Sequence, residues 1–191
     1  MTYTSNSQSG LRQSAIDARR SLSDGYRNRA SSRICKRVIH SHEFVSCKSV
    51  ACYLPSYDEV DTTTIIERAW RAKKRVFAPV IDSGAKMIFR QLAPDTVLTR
   101  NFFGLWEPVS GPVIAANRCD LVITPVVVFD DDGNRIGMGS GYFDRCFQFL
   151  KRRRRWRRPK LVGLAFDCQR VEKIAPNPWD IPVYQVITES G

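Results

Sequence analysis

Histidine is almost missing from this chain: His40 and His42 are the only two among 191 residues. They stand two apart near the end of a predicted helix, where solvation or capping is their ordinary role. The six cysteines (Cys35, Cys47, Cys52, Cys119, Cys146 and Cys168) are scattered, with no C-x-x-C pair. A zinc site needs clustered soft ligands, so this pattern argues against a zinc enzyme. No apolar run comes near the roughly 18 residues that a membrane helix needs. The opening MTYTSNSQSG has neither a basic start nor an apolar stretch, and so lacks the pattern of a secretory signal. Residues 1–10 are expected to be a short disordered tail. Residues 11–191 are expected to form one domain, cytoplasmic and with reduced thiols. Internal repeats are lacking too.

What is present is an ordinary globular balance, 43% hydrophobic and 26% charged, long enough for one sizeable core. The net charge of +11 points to nucleic acid until it is located. KRRRRWRRPK, residues 151–160, carries eight of those charges and leaves +3 for the rest of the chain. A nucleic-acid surface spreads its basic residues over a face and interleaves stacking aromatics. This run has a single tryptophan. It reads as a solvated loop, with a nucleic-acid-binding arm as the rival.

Periodicity organises the chain. LRQSAIDARRSLSDGYRNRASSRICKRVIHSHEF has apolar residues at helical spacing and a break with a cap candidate at Ser23-Asp24-Gly25, which predicts two helices. SVACYL is a buried strand ended by Pro55. TTTIIERAWRAKK, residues 62–74, opens with a threonine cap and sets Ile65, Ile66, Ala69 and Trp70 on one face. RVFAPV then completes a βαβ unit, which requires parallel pairing. KMIFRQL is a further strand, and residues 93–118 form a long irregular connection. DLVITPVVVFD, residues 120–130, is the most apolar stretch and is predicted to be the central strand, buried on both faces. A helix over residues 142–150, a buried strand PKLVGLAF and a short strand YQVIT follow. The pattern predicts a three-layer α/β/α domain with a mostly parallel, Rossmann-like sheet.

NRIGMGSGYFDR, residues 134–145, lies between that central strand and a helix, where open parallel sheets bind ligands. Alternate glycines admit positive φ and let backbone N–H groups converge on an anion. Neither standard phosphate template is matched: G-x-G-x-x-G would need glycine at Tyr142, and no G-K-[ST] ending occurs. A phosphate cradle and a plain turn are both open on this pattern. Arg135 and Arg145 flank the loop as guanidiniums suited to oligophosphate. Asp144, in the first helical turn, suits either a helix cap or a magnesium ion.

FDDDGNRIGMGSGYFDR, with the proline of VITPVVVF ahead of it, closely resembles the signature of the 5-formyltetrahydrofolate cyclo-ligase (methenyltetrahydrofolate synthetase) family. LRQSAIDARRSLS is similar to that family's N-terminal helix, YLPSYDEVDTTTII to its first folate loop, and NFFGLWEP to its central loop. RAKKRVFAPVI with MIFRQL is similar to its middle strands, and GLAFDCQRVEKIAPNPWDIPVYQVIT to its C-terminal segment. The resemblance implies an enzyme that uses ATP and Mg²⁺ to close 5-formyltetrahydrofolate to 5,10-methenyltetrahydrofolate through a phosphorylated formyl group. It implies that Arg135, Ile136, Gly137, Met138, Gly139, Ser140, Gly141, Tyr142 and Phe143 hold ATP, with Arg12 reaching in from the first helix. Met138, Gly139, Ser140, Gly141 and Tyr142 would also face the folate, with Leu54, Glu59 and Phe103. Arg135, Tyr142 and Arg145 form the expected catalytic set, and Asp144 and Asp180 the metal-binding carboxylates. Gln8 stands where family members often carry lysine, and Ser140 where some have lysine and others glycine.

By themselves, Asp180 reads as a turn residue and Phe103 as a core phenylalanine under a loop. The rival to the enzyme is a nucleic-acid-binding protein on a degenerate domain of this type, using the arginine run. The run would equally attract the anionic polyglutamate tail of a folate. Nothing in the sequence demands more than a monomer.

Overall fold

The computed structural model describes residues 5–56, 58–82, 84–153 and 158–191. Helix α1 (Ser5–Ser21) starts inside the segment expected to be a tail. Helix α2 (Asp24–His40) begins where the sequence places it, because the Ser23 side chain accepts from the Tyr26 amide. Ser41 then caps the short α3 (His42–Ser46) by accepting from Phe44 N–H. Strand β1 (Ser49–Cys52), helix α4 (Thr63–Arg71) and strand β2 (Arg75–Ile81) form the expected parallel βαβ unit, with Val50 opposite Val76. Thr62 precedes α4 but does not cap it. Its hydroxyl donates to the Tyr53 carbonyl at 2.8 Å, and Asp61 takes the Thr63 amide instead.

Strand β3 (Met87–Gln91) turns back antiparallel on β2. The expected irregular connection instead holds a hairpin of β4 (Leu98–Arg100) and β5 (Trp106–Pro108), then β6 (Val113–Ile114) on the sheet edge. Strands of two or three residues are too short to show an alternation. At the hairpin tip the Asn101 side-chain oxygen accepts from the Phe103 and Leu105 amides, a turn held by one asparagine.

The apolar run read as one central strand is two. Strand β7 (Leu121–Pro125) ends at a proline, and β8 (Val128–Phe129) leaves the sheet to pair with β9 (Arg135–Ile136). The carbonyls of Val126 and Val127, freed at that exit, are taken by the Gln169 amide at 2.7 and 2.9 Å. Helix α5 (Tyr142–Phe147) continues as a 3-10 turn over Gln148–Arg152. Strands β10 (Lys160–Leu164) and β11 (Gln185–Ile187) complete a seven-stranded sheet in the order β11-β10-β7-β1-β2-β3-β6. All pairings from β2 to β11 through the middle are parallel.

Alternation across the strands builds two cores. Val50, Val76, Leu121, Ile123, Val162 and Leu164 face α2 and α4. Ala51, Phe77, Val122 and Leu161 face Phe147 of α5. This is the three-layer arrangement. Burial pushes the Cys35 and Cys119 thiols up to about 12, so they behave as core hydrophobes. No helix among the described residues is long and apolar enough to cross a membrane. Residues 154–157 of the basic run lie outside the described residues. Its flanks are engaged locally: Arg153 Nη1 donates to the Arg158 carbonyl, and Lys160 lies over the Tyr184 ring.

Asp120 locks the two middle strands together at their amino ends. One of its carboxylate oxygens accepts from Lys48 N–H, Ser49 N–H and Ser49 Oγ, each at 3.0 Å, and the other accepts from Arg158 at 2.9 Å. Burial opposes this charge, but those donors outweigh it and hold the carboxyl below its ordinary value. A depressed carboxyl contributes stability above its unfolded-state pKa and loses it as pH falls through the folded value. We therefore predict that Asp120→Ala costs about 2–3 kcal/mol at pH 7. In urea melts the gap between variant and parent should narrow as pH drops below about 4. A gap independent of pH would sink this account.

Candidate active site

The carboxyl ends of β1, β7 and β10 open onto one edge, and α1 runs along it. Its apolar residues Leu11, Ala15 and Ile16 pack on Val127, Val128, Ile136 and Ile174. Gln8, Arg12 and Arg19 fall on the same face, at i, i+4 and i+11 from the first. Three polar residues on a core-facing stripe are therefore aimed inward, each at a different loop.

Arg19 is buried and pairs with Asp58 at 2.9 Å, in the loop after β1. Burial works against the Asp58 carboxylate, yet Arg19 outweighs it and keeps its pKa below the ordinary value. That loop also carries Glu59, whose carboxylate accepts from Ser56 N–H at 2.9 Å, and Leu54, which packs against the core. Among the described residues no hydrogen bond or ion pair joins Leu54 or Glu59 to the glycine stretch. They share its sheet edge only.

Arg12 donates from Nε to the Gly137 carbonyl at 2.8 Å. Its guanidinium carbon lies 3.7 Å from where a Cβ on Gly139 would sit, and Gly139 has φ +104°. Gly141 has φ +65°, with Arg145 Nη1 only 3.1 Å from its would-be Cβ. Both are left-handed positions that favour glycine. Arg145 donates to the Ser140 carbonyl at 2.8 Å and lies over the Tyr142 ring at 4.9 Å. Thus two arginines brace the loop from either side through its own carbonyls. Met138 stands 64% exposed at its crest.

The loop is framed from below by Asp130. Its carboxylate accepts from the amides of Asp132, Asn134 and Ile174 and from the Asn134 side chain. The following Arg135 is buried, with its side chain 4% exposed, and pairs with Asp144 at 2.9 Å. The same Asp144 oxygen accepts from Ile181 N–H at 3.1 Å. Asp144 therefore does not cap α5, whose N-cap is Gly141 without a side-chain bond. Burial pulls the Arg135 pKa down, and Asp144 and Asp180 both offset that loss. Arg135 Nε is buried without a partner among the described residues.

Asp180 closes its own turn, accepting from Asn177 N–H at 2.7 Å. Phe103 is no core residue: it is 53% exposed and meets Tyr142 edge-on at 6.1 Å. The structure thus gathers Arg12, residues 135–145, Asp180 and Phe103 at one place. Asp130 and Asn177 support it and Arg19 with Asp58 ties the neighbouring loop to α1, and these went unnoticed in the sequence, whereas Gln8 stands out there for the lysine it replaces. The signal for Arg19 was a charge on an apolar helical stripe, and for Asp130 an aspartate four residues ahead of Asn134 in a glycine turn. A cavity of about 720 Å³ lies elsewhere, against Arg75, Phe77, Gln91 and Arg118. It has none of these elements.

The donor set limits the metals that suit this place. Among the described residues no three His, Cys, Asp or Glu side chains converge. Asp144 and Asp180 alone flank Arg135 as carboxylates. Two hard oxygen donors fit a cation that keeps water and phosphate oxygens in its shell, as Mg²⁺ does.

Residues 4–189 match the sequence profile described as the 5-formyltetrahydrofolate cyclo-ligase family. The 5-formyltetrahydrofolate cyclo-ligase of Escherichia coli (strain K12) is 36% identical over 178 residues, covering 90% of this chain and 94% of that protein. That of Haemophilus influenzae is 32% identical over 166 residues, covering 84% and 86%. The NMR structure of Aquifex aeolicus 5,10-methenyltetrahydrofolate synthetase aligns with a TM-score of 0.82 at 31% identity, over 96% of this chain and 90% of that one. With one profile running through almost its whole length and relatives this similar over most of it, the chain belongs to the 5-formyltetrahydrofolate cyclo-ligase family.

Proposed function

We propose that this enzyme closes 5-formyltetrahydrofolate to 5,10-methenyltetrahydrofolate and spends one ATP to do so. The observation that carries the reading is the glycine stretch braced by Arg12 and Arg145 directly above the buried Arg135–Asp144 pair. A formamide oxygen is a poor leaving group. Its attack on the γ-phosphorus of ATP releases ADP and leaves the oxygen as a phosphate ester. N10 of the folate then forms a bond to the activated formyl carbon, the C–O bond breaks, phosphate departs, and N10 gives up its proton.

The residues contribute position and charge more than covalent chemistry. Residues 137–141 offer backbone amides to the phosphates, and Arg12 and Arg145 can exchange a carbonyl for a phosphate oxygen. Arg135 holds positive charge beneath them, in a setting dry enough to strengthen it. Met138, Tyr142 and Phe103 supply apolar and aromatic surface for the folate beside the loop, and Glu59 a carboxylate acceptor for pterin N–H groups. Asp144 and Asp180 would hold Mg²⁺, which neutralises phosphoryl charge when bound. We carry the family's nucleotide role to Arg12 and not to Gln8, which is engaged elsewhere.

The direct test is absorbance in the methenyl-folate band after mixing protein, 5-formyltetrahydrofolate, Mg²⁺ and ATP. The rise should need ATP and vanish on chelation; a flat trace from folded protein refutes the reading. Asp144→Asn keeps the shape but removes the charge, and should lower kcat about 100-fold or more. Asp180 stays beside Arg135, so the variant should still fold by circular dichroism but melt at a lower temperature than the parent. Gly139→Ala should raise the KM for ATP roughly 10- to 100-fold, because a side chain at φ +104° strains the backbone and moves the loop. An unchanged KM for ATP in that variant would remove the loop from nucleotide binding.

A further inference from the structure

Gln8 uses both ends of its carboxamide. Nε2 donates to the Ala175 carbonyl at 2.9 Å, and Oε1 accepts from Asn177 Nδ2 at 3.3 Å. Asn177 in turn holds Asp180, through its backbone N–H at 2.7 Å and its side-chain amide at 3.3 Å to one carboxylate oxygen. The Asp180 amide returns to the Asn177 carbonyl. One helical turn further on, Arg12 reaches the glycine stretch at Gly137. A single turn of α1 therefore grips both the loop that carries Asp180 and the loop that carries the glycines. The packing of Leu11, Ala15 and Ile16 on β8 and β9 makes the helix a fixed base for that grip.

We propose that Gln8 is a positioning residue for Asp180: through Asn177 it sets where that carboxylate stands relative to Arg135 and Asp144. This rests on the reading of Asp144 and Asp180 as the Mg²⁺-nucleotide carboxylates. The chemistry of the contact requires glutamine. A carboxamide donates and accepts at one end, whereas lysine only donates and glutamate only accepts. Asp180 by itself has its turn to hold it, but the turn as a whole has no other polar tie to α1 among the described residues.

Two readouts separate the proposal from the function it rests on. The first needs no ligand: amide hydrogen exchange in the free protein. Gln8→Ala should speed exchange at the Asn177 and Asp180 amides while leaving β7 and β10 protected. The second titrates Mg²⁺ against binding of a fluorescent, non-hydrolysed ATP analogue. Gln8→Ala and Gln8→Lys should both raise the Mg²⁺ needed for half-saturation, by roughly tenfold, as loss of an outer partner of a metal ligand does. In turnover assays the change should fall on the Mg²⁺ dependence and the KM for ATP more than on kcat. Gln8→Glu keeps the bond from Asn177 and should fall between parent and Gln8→Ala. Unchanged exchange in Gln8→Ala overturns the proposal even if the enzyme is active. Tighter nucleotide binding by Gln8→Lys also overturns it, since position 8 would then touch the phosphates directly. Faster exchange with no nucleotide binding in the parent protein would retain the strut and discard the Mg²⁺-nucleotide reading.

Discussion

The Arg135–Asp144 ion pair is the constraint around which this edge of the molecule is arranged. A guanidinium whose side chain is 4% exposed cannot be left alone in a protein interior, so every element near it must respect its charge. The β8–β9 hairpin delivers Arg135, α5 delivers Asp144, and the C-terminal segment supplies the Ile181 amide to the same carboxylate oxygen. A hairpin strand, the helix that follows it and the remote C-terminal segment meet at one oxygen atom. The pair is not well satisfied, since Arg135 Nε has no partner among the described residues and burial lowers the Arg135 pKa. Such a pair is poor evidence for stability and better evidence for a place where charge is wanted.

Helix α1 answers a different problem. Loops at the carboxyl edge of a parallel sheet are free to differ in position unless something spans them. α1 spans three: Arg19 holds Asp58 after β1, Arg12 holds Gly137 after β9, and Gln8 holds the turn before β11. Its apolar face supplies the packing and its polar residues on that face supply the register. This explains why a helix with no acidic residue in its first turn begins as early as Ser5. Contacts to the body of the protein define it along its length.

The layers and parallel core were legible because they rest on period. SVACYL, DLVITPVVVFD and PKLVGLAF are strongly apolar runs, and burial on both faces follows from that. The glycine stretch was legible because three glycines so close together have few explanations. What was not legible is non-local. Nothing about Pro125 in sequence shows that the chain leaves the sheet there, since the apolar run continues past it and the compensating amide of Gln169 lies more than forty residues away. The β4–β5 hairpin escaped because its pairs are held by one asparagine and a cation–π contact of Arg100 on Trp106, not by a hydrophobic alternation. Asp144 shows the limit best. Its place in a first turn suggests a cap, and only the approach of Arg135 and Ile181 in space assigns it elsewhere.

The loop's resting contacts bear on how an anion would be received there. Arg12 and Arg145 are satisfied by neutral carbonyls, of Gly137 and Ser140, at 2.8 Å each. Hydrogen bonds from a guanidinium to an anionic oxygen are shorter and roughly twice as strong as those to neutral acceptors. On the cyclo-ligase reading, exchanging carbonyl for phosphate is therefore downhill, and the release costs least at Ser140, whose carbonyl is exposed, while that of Gly137 is partly buried. The glycines make the exchange possible, since Gly139 and Gly141 already occupy left-handed positions that bring each guanidinium against the backbone. On that reading a loop braced this way needs only a change of partner, not a change of path, to grip an anion. That economy suits a reaction in which placing two substrates in line supplies most of the rate.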